Sequence, residues 1–232
     1  MKAVIVENPG KDYRLVLADI PRPSPKAGEV LIKVSAAGLN HADMTQAEGR
    51  YPPPPGAPDT LGMEASGEIA EIGPGVTDWK IGDMVCALMG GGGYAEYAIA
   101  SAKCLLPLPK GVSVVDAAAL PEVHFTVWTN LFDSAQLKAG ETVLIHGGTS
   151  GIGTAAIQLC AARGHKVFST AATKEKCIAI EKLGGHPINY KEEDFVTVVK
   201  KATGERGVDV VLDMVGGEYI QRNMSAAAIW GR

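Results

Sequence analysis

The segment His146-Gly147-Gly148-Thr149-Ser150-Gly151-Ile152-Gly153 has residue types and a spacing suited to holding an anion. Glycines between an apolar strand, Val143 to His146, and a helix, Ile152 to Ala162, bring backbone amides to the helix N-terminus. Unpaired N–H groups and the helix dipole favour a pyrophosphate there. Gly148-x-Ser150-x-x-Gly153 departs from G-x-G-x-x-G at its second glycine, so alone it also fits a turn that merely closes a helix against a strand. The strand before it, the helix after it and a further strand at Lys166 to Thr170 make dinucleotide binding the better reading.

The same eight residues fit T-G-x-x-x-G-x-G, apart from His146 in the threonine position. That pattern belongs to short-chain dehydrogenases, normally opens their chains, and works with Tyr-x-x-x-Lys, whose lysine lowers the tyrosine pKa for proton transfer. Here 145 residues precede it, and none of Tyr13, Tyr51, Tyr94, Tyr97, Tyr190 or Tyr219 has a lysine four residues on, so this alternative fails. At the end of the second strand a carboxylate would hold the NAD ribose and repel the NADP 2′-phosphate. The residues there, Ser169-Thr170-Ala171-Ala172-Thr173-Lys174-Glu175-Lys176, carry no acid at the tip. Hydroxyls of Ser169, Thr170 and Thr173, with Lys174 and Lys176 beyond, suit a dianionic phosphate, and the expected cofactor is NADPH.

These residues need a frame to position them. A chain of 232 residues, 46% hydrophobic and 21% charged, can bury a sizeable core. Its net charge of −4 offers no basic stripe for nucleic acid. The first residues are too short an apolar run for a signal peptide, and no run approaches the ~18 residues of a membrane span, so a cytoplasmic protein with no membrane partner is expected. Cys86, Cys104, Cys160 and Cys177 form no C-x-x-C pair, which argues against a disulfide framework and a structural zinc site. The first half reads as strands between Pro/Gly turns: Lys2 to Glu7, Glu29 to Ala36, Ala65 to Ile72, Met84 to Leu88 and Tyr94 to Ala100. Prolines at Leu106-Pro107-Leu108-Pro109 mark a junction, and Ser113-x-x-Asp116 is a capping box opening a helical stretch. We place domains at 1–115 and 116–232. From Thr142 strands and helices alternate: further helices at Lys174 to Leu183 and near Glu193 to Lys201, further strands at Ile188 to Tyr190 and Val208 to Asp213. That order implies βαβ units and a parallel sheet.

Ala36-Ala37-Gly38-Leu39-Asn40-His41-Ala42-Asp43, Leu61-Gly62-Met63-Glu64-Ala65-Ser66-Gly67, Ala118-Ala119-Leu120-Pro121, Phe125-Thr126-Val127-Trp128 and the glycine motif occur in the order found in medium-chain dehydrogenases/reductases. The chain resembles that family's zinc-independent quinone oxidoreductases, of the p53-inducible and zeta-crystallin types. The resemblance implies an α/β protein: a GroES-like β-rich catalytic domain followed by an incomplete Rossmann doubly wound parallel sheet. Asn40 and Met63 stand where zinc-dependent relatives carry cysteine and histidine, so no metal ligand is expected. Hydride transfer from NADPH to a quinone or an α,β-unsaturated carbonyl is the implied reaction, because those acceptors delocalise the developing charge. The candidate catalytic residues are Asn40, Tyr51 and Ser150. Asn40 and Thr126 are expected at the nicotinamide, Gly148, Ser150, Gly151, Ile152 and Gly153 at the pyrophosphate, and Thr173, Lys176 and Tyr190 at the adenosine phosphate. Asp43 and Glu64 are read as structural hydrogen-bond partners rather than acid/base groups.

Members of the family are longer, and the likeness here runs out before the next Rossmann strand. The sequence alone therefore suggests a C-terminally truncated form, with Val208 to Leu212 as an open apolar sheet edge. A catalytically weak or inactive NADPH-binding remnant is the alternative function, and the homodimer common in the family is doubtful for this chain.

Overall fold

Val30, Leu31 and Ile32 are all fully buried in one of the longest strands of an antiparallel sheet. The computed structural model describes every residue, Met1–Arg232. Two units pack internally, Met1–Glu122 and Val123–Arg232, and the division falls thirteen residues after Pro109 of the proline-rich junction.

The N-terminal unit starts with a hairpin, β1 (Lys2–Glu7) and β2 (Arg14–Asp19), paired antiparallel from Lys2–Asp19 to Glu7–Arg14. Then come β3 (Glu29–Ala37), α1 (His41–Ala47), β4 (Glu64–Ile72), β5 (Met84–Leu88), β6 (Tyr97–Ser101), β7 (Leu105–Pro107) and the short α2 (Val114–Ala117). Strands β3 to β7 form one antiparallel sheet in the order β6-β3-β4-β5-β7. Val30, Ile32, Ala65, Ile69, Val85, Ala87, Ala98 and Ala100 fill its core. The strand expected from Tyr94 begins only at Tyr97, because Tyr94 is used elsewhere: its N–H donates to Leu61 O and its carbonyl accepts from Val4 N. Strand β2 carries Leu15 and Leu17 exposed and so lacks the half-buried alternation that would have announced it. As its sequence indicated, Ser113 caps α2, its hydroxyl accepting from Asp116 N at 3.0 Å.

Helix α3 (Pro121–Val127) contains the boundary and continues into a π-helical turn, Trp128–Ser134. The second unit then alternates β8 (Thr142–Ile145), α4 (Gly151–Ala162), β9 (Lys166–Ala171), α5 (Lys174–Lys182), β10 (His186–Asn189), α6 (Phe195–Ala202), β11 (Val210–Leu212) and α7 (Tyr219–Ala226). Its sheet is parallel throughout, in the order β10-β9-β8-β11. Successive residues of β8 face opposite sides: Val143 and Ile145 pack with Ala156, Ile157 and Ile180, while Leu144 packs with Phe168, Phe195 and Val199. Helices on both faces are what a doubly wound sheet requires, and they explain why its strands read as nearly continuous apolar runs. No helix is long and apolar enough to cross a membrane. Cys86 and Cys160 are buried free thiols, and burial pushes the Cys160 thiol up to about 11.

The segment expected as an open edge, Val208 to Leu212, does hold the outer strand of the sheet, and the chain's last residues cover part of it. Ala228 N donates to Val208 O at 2.8 Å, Arg232 N to Asp209 O at 2.9 Å, and Val211 N to Arg232 O at 2.8 Å. The Arg232 guanidinium also reaches Glu141 Oε2 at 2.6 Å. Periodicity in the sequence ends at the strand; α7 follows it, and residues 227–232 after α7 return along this edge. Below the sheet, Asp209 accepts from both Arg206 guanidinium nitrogens and from the Thr142 amide and hydroxyl. Arg206 first, then Thr142, hold its carboxyl down to about 2, against an ordinary 3.8. A depressed carboxylate stabilises the fold above its unfolded pKa and loses that contribution as pH falls through the folded one. Asp209→Asn should therefore cost about 2 kcal/mol near neutral pH and flatten the stability profile between pH ~4 and ~2. Chemical denaturation at pH 7 and across the acid range reads both; an unchanged profile would refute the assignment.

Candidate functional site

The glycine segment is a tightly cross-braced turn between β8 and α4. Gly147 adopts φ +68°, in the left-handed region that favours glycine. Its carbonyl accepts from Ser150 N at 2.9 Å and from the Ser150 hydroxyl at 2.8 Å, and its amide donates to Thr170 Oγ1 at 3.2 Å. Gly148 N donates to Thr170 O at 2.9 Å. A Cβ on Gly148 would lie 2.2 Å from Ser169 Oγ and 2.7 Å from Ile180, and one on Gly153 would lie 2.3 Å from Gly147 O. Close approach of strand, turn and helix thus demands glycine at both ends. Ser150, in the place of the middle glycine, is the N-cap of α4: its Oγ accepts from Gly153 N at 3.0 Å. The amides of Thr149, Gly151 and Ile152 have no partner within the chain. They sit at the N-terminus of a helix of 12 residues, the arrangement that receives a pyrophosphate.

Of the hydroxyls assigned to a phosphate, two are corrected. Ser169 is fully buried and donates to Ile145 O at 2.8 Å. Thr170, 1% exposed, faces His146 and the Gly147 amide. Both point into the sheet because β9 is covered on both faces, which periodicity alone did not reveal. Thr173, Lys174 and Lys176 remain at the surface where β9 gives way to α5, with Thr173 as the N-cap accepting from Lys176 N at 3.4 Å. Glu175 also stands in this first turn, its carboxyl lowered by its own backbone amide and the Thr173 hydroxyl. Tyr190 joins the group, since its amide donates to Ala171 O at 3.1 Å at the tip of β9.

In the N-terminal unit Asn40 precedes α1, and its amide donates to Asp43 Oδ2 at 3.0 Å. Its side-chain Nδ2 donates to Glu64 Oε1 at 2.9 Å, and the other Glu64 oxygen accepts from Glu122 N at 2.9 Å. Asp43 accepts further from Gly62 N at 2.9 Å and the Tyr94 hydroxyl at 2.8 Å. Burial, then Asp43 itself, push the Tyr94 phenol well above its ordinary value. Asp43 and Glu64 are 4% and 2% exposed, and both organise the backbone around Asn40, the structural part read for them. Gly38 makes room for this: a Cβ there would collide with the Glu64 carboxyl. The spacing Asn40-x-x-Asp43 is itself a helix-start signal, although α1 was not anticipated. Tyr51 is exposed, in the segment following α1. In the C-terminal unit, Thr126 lies near the end of α3, and its carbonyl accepts from Asn130 Nδ2 at 2.8 Å. A cavity of about 640 Å³ in the N-terminal unit is lined by Ile20, Pro58, Met89, Tyr97 and Cys104 among others and includes none of the candidate residues.

Fold and glycine turn together define a dinucleotide-dependent oxidoreductase. Residues 26–110 match the alcohol dehydrogenase GroES-like domain, and residues 151–232 match the domain described as zinc-binding dehydrogenase. Rat (Rattus norvegicus) quinone oxidoreductase is 34% identical over 235 residues, covering 100% of this chain and 71% of the relative. Among solved structures, the CurK enoyl reductase superposes with a TM-score of 0.88 at 32% identity, over 99% of this chain and 72% of the other. Escherichia coli quinone oxidoreductase complexed with NADPH gives 0.86 at 31% identity, over 99% and 71%. The chain belongs to the medium-chain dehydrogenase/reductase family, among its quinone oxidoreductase relatives.

If the turn holds the pyrophosphate, Gly153→Ala should weaken dinucleotide binding by at least tenfold and destabilise the unit by about 1–3 kcal/mol. Gly151→Ala is the comparison, because its Cβ meets only Val123 Cγ1 at 3.2 Å. Fluorescence titration and thermal melts of the two variants check this; equal effects would contradict the role given to the Gly153–Gly147 contact.

Proposed function

We propose that this chain binds NADPH and acts in zinc-independent hydride transfer to quinones or α,β-unsaturated carbonyls. The observation that carries the reading is the braced glycine turn with its unpartnered amides at the start of α4. The site fits such a cofactor: Gly148 and Gly153 leave room for close backbone approach, and no carboxylate occupies the tip of β9 at Ala171-Ala172. Bound NADPH would supply a hydride from its nicotinamide ring.

The remaining work falls to the chain's own groups. Thr149, Gly151 and Ile152 amides hold the pyrophosphate, with Ser150 keeping the helix start in shape. Thr173, Lys176 and Tyr190 are assigned to the adenosine phosphate, with Lys174 adding positive charge against the nearby Glu175. On the family likeness, Asn40 and Thr126 are each assigned to the nicotinamide and Tyr51 to the substrate. Asn40 is suited to orienting rather than proton transfer, since its amide is not titratable and Glu64 fixes its rotation.

Zinc independence is supported by donor chemistry: Asn40 offers an amide already bonded to Glu64, and Met63 a thioether, neither of them a usual zinc ligand. Without a Lewis acid, the acceptor must spread its own developing charge, as quinones and enones do. Likeness to the CurK enoyl reductase favours an α,β-unsaturated carbonyl as the acceptor class beside quinones.

NADPH fluorescence should change on binding, with a weaker response to NADH, and NADPH should be consumed with 1,2-naphthoquinone in the presence of a metal chelator. Equal response to NADH would remove the 2′-phosphate assignment, and chelator-sensitive turnover would remove zinc independence. Binding without consumption across quinones and enones would leave only a nucleotide-binding role.

A further inference from the structure

We infer that His146 is a positioning residue for the dinucleotide turn: a one-directional hydrogen-bond chain from Asp213 through Asn223, His146 and Thr170 ends on the Gly147 amide and holds the turn while the imidazole is neutral. The inference rests on the NADPH reading of that turn and adds the group that governs its shape.

His146 closes β8, is fully buried, and takes no part in the chemistry above. Its two nitrogens have one partner each: Nε2 lies 2.7 Å from Asn223 Oδ1 and Nδ1 3.1 Å from Thr170 Oγ1. The direction of every link follows from its far end. The Asp213 carboxylate can only accept, so Asn223 presents Nδ2 to it, at 2.9 Å, and turns Oδ1 toward the imidazole. An amide oxygen only accepts, so His146 Nε2 carries the proton. In the neutral ring Nδ1 is then an acceptor and receives the Thr170 hydroxyl hydrogen. That leaves the Thr170 oxygen lone pairs to receive the Gly147 amide, at 3.2 Å. The far end of the chain is equally tied: Asp213 Oδ1 accepts from Val215 and Gly216 amides at 2.8 and 3.1 Å, ordering the loop after β11. Met214 in that loop lies 3.3 Å from Ser150 Oγ. One chain thus joins the carboxyl ends of β8, β9 and β11, where doubly wound sheets bind their ligands.

A second proton on the ring would place N–H against the Thr170 O–H, forcing the hydroxyl to rotate and disturbing the Gly147 contact. Charged and titratable groups around the ring oppose one another. Asp213 favours the charged form, and Arg222 of α7 disfavours it, while that arginine is itself paired to Asp194 at the start of α6 at 2.8 Å. Tyr219 of α7 and Phe195 of α6 close over the ring, with centroids 4.7 and 4.8 Å away. Burial is the largest influence and moves His146 below its ordinary 6.5, so the neutral form prevails at neutral pH. Because the turn-holding form is the neutral one, affinity is retained above the lowered pKa and declines as pH falls through it.

The test has a ligand-free arm and a binding arm. Nitrogen-15 NMR of the ligand-free chain at pH 7.5 should show His146 as the Nε2–H tautomer; the Nδ1–H tautomer would overturn the proposal. Thr170→Val, which keeps volume and removes the hydroxyl, should weaken NADPH binding about tenfold, and Thr170→Ser should restore it, with thermal melts confirming that both fold. Over the pH range in which the nitrogen-15 signals of the ring report its protonation, the wild-type chain should lose more affinity than His146→Gln, a difference that cancels titration of the cofactor's own phosphate. Equal binding by wild type and Thr170→Val, or parallel pH profiles in wild type and His146→Gln, would remove the role of His146 alone. Absence of NADPH binding by the wild-type chain at pH 7.5 would overturn the cofactor reading and this inference with it.

Discussion

Gly148 packs its Cα where any side chain would meet Ser169 and Ile180, and Gly153 packs against the Gly147 carbonyl. Much of the C-terminal unit depends on that absence of side chains. Strand β8, strand β9 and helix α4 can approach closely only there, and their approach turns the first amides of α4 away from every acceptor in the protein. Such unpaired donors at a helix start are what the proposed anion site uses. The same crowding forces Ser169 and Thr170 inward, where their hydroxyls satisfy Ile145 O and the Gly147 amide instead of facing solvent.

A different device serves the N-terminal unit. Asp43 and Glu64 are carboxylates removed from water and surrounded by donors: three for Asp43, and the Asn40 and Glu122 nitrogens for Glu64. Buried carboxyl groups are tolerated because they are so bonded. The result is a rigid frame around Asn40, with Gly38 giving the Glu64 carboxyl its space. Candidate chemistry in each unit is therefore carried by backbone and amide groups whose orientation is set by buried partners, and titratable side chains serve as supports. This suits a reaction in which the cofactor supplies the reactive bond and the protein supplies geometry.

At the sheet's outer strand, the Val211 amide of β11 and the carbonyls of Val208 and Asp209 just before it bond the returning residues Ala228 and Arg232, and Arg232 is tied in turn to Glu141. Parallel edges are prone to pairing with other chains, and here the chain itself meets part of that demand. Ile229 and Trp230, 86% and 90% exposed, stand on this return segment and leave it more apolar than a surface strand usually is.

Legibility in the sequence followed how local each signal was. The glycine turn, the strand–helix alternation from Thr142 onward and the strands from β3 to β5 could be read directly, because spacing and periodicity are properties of neighbouring residues. The family likeness was legible for the same reason, in short motifs kept in order. Strand β2, a short apolar run that leaves Leu15 and Leu17 exposed, and α7, beyond the last periodic segment, were not. Nor could the fate of a polar group be read: Ser169 and Thr170 have the composition of a phosphate site, yet only the packing of helices on both sides of β9 decides that they are core. His146 and Asn223, 77 residues apart, became partners solely through the crossing of α7 over the end of β8. Sequence determined which residues could make a dinucleotide turn, and tertiary structure decided which hydroxyls, amides and imidazole nitrogens were left to serve it, because a hydrogen bond is settled by distance and direction in space.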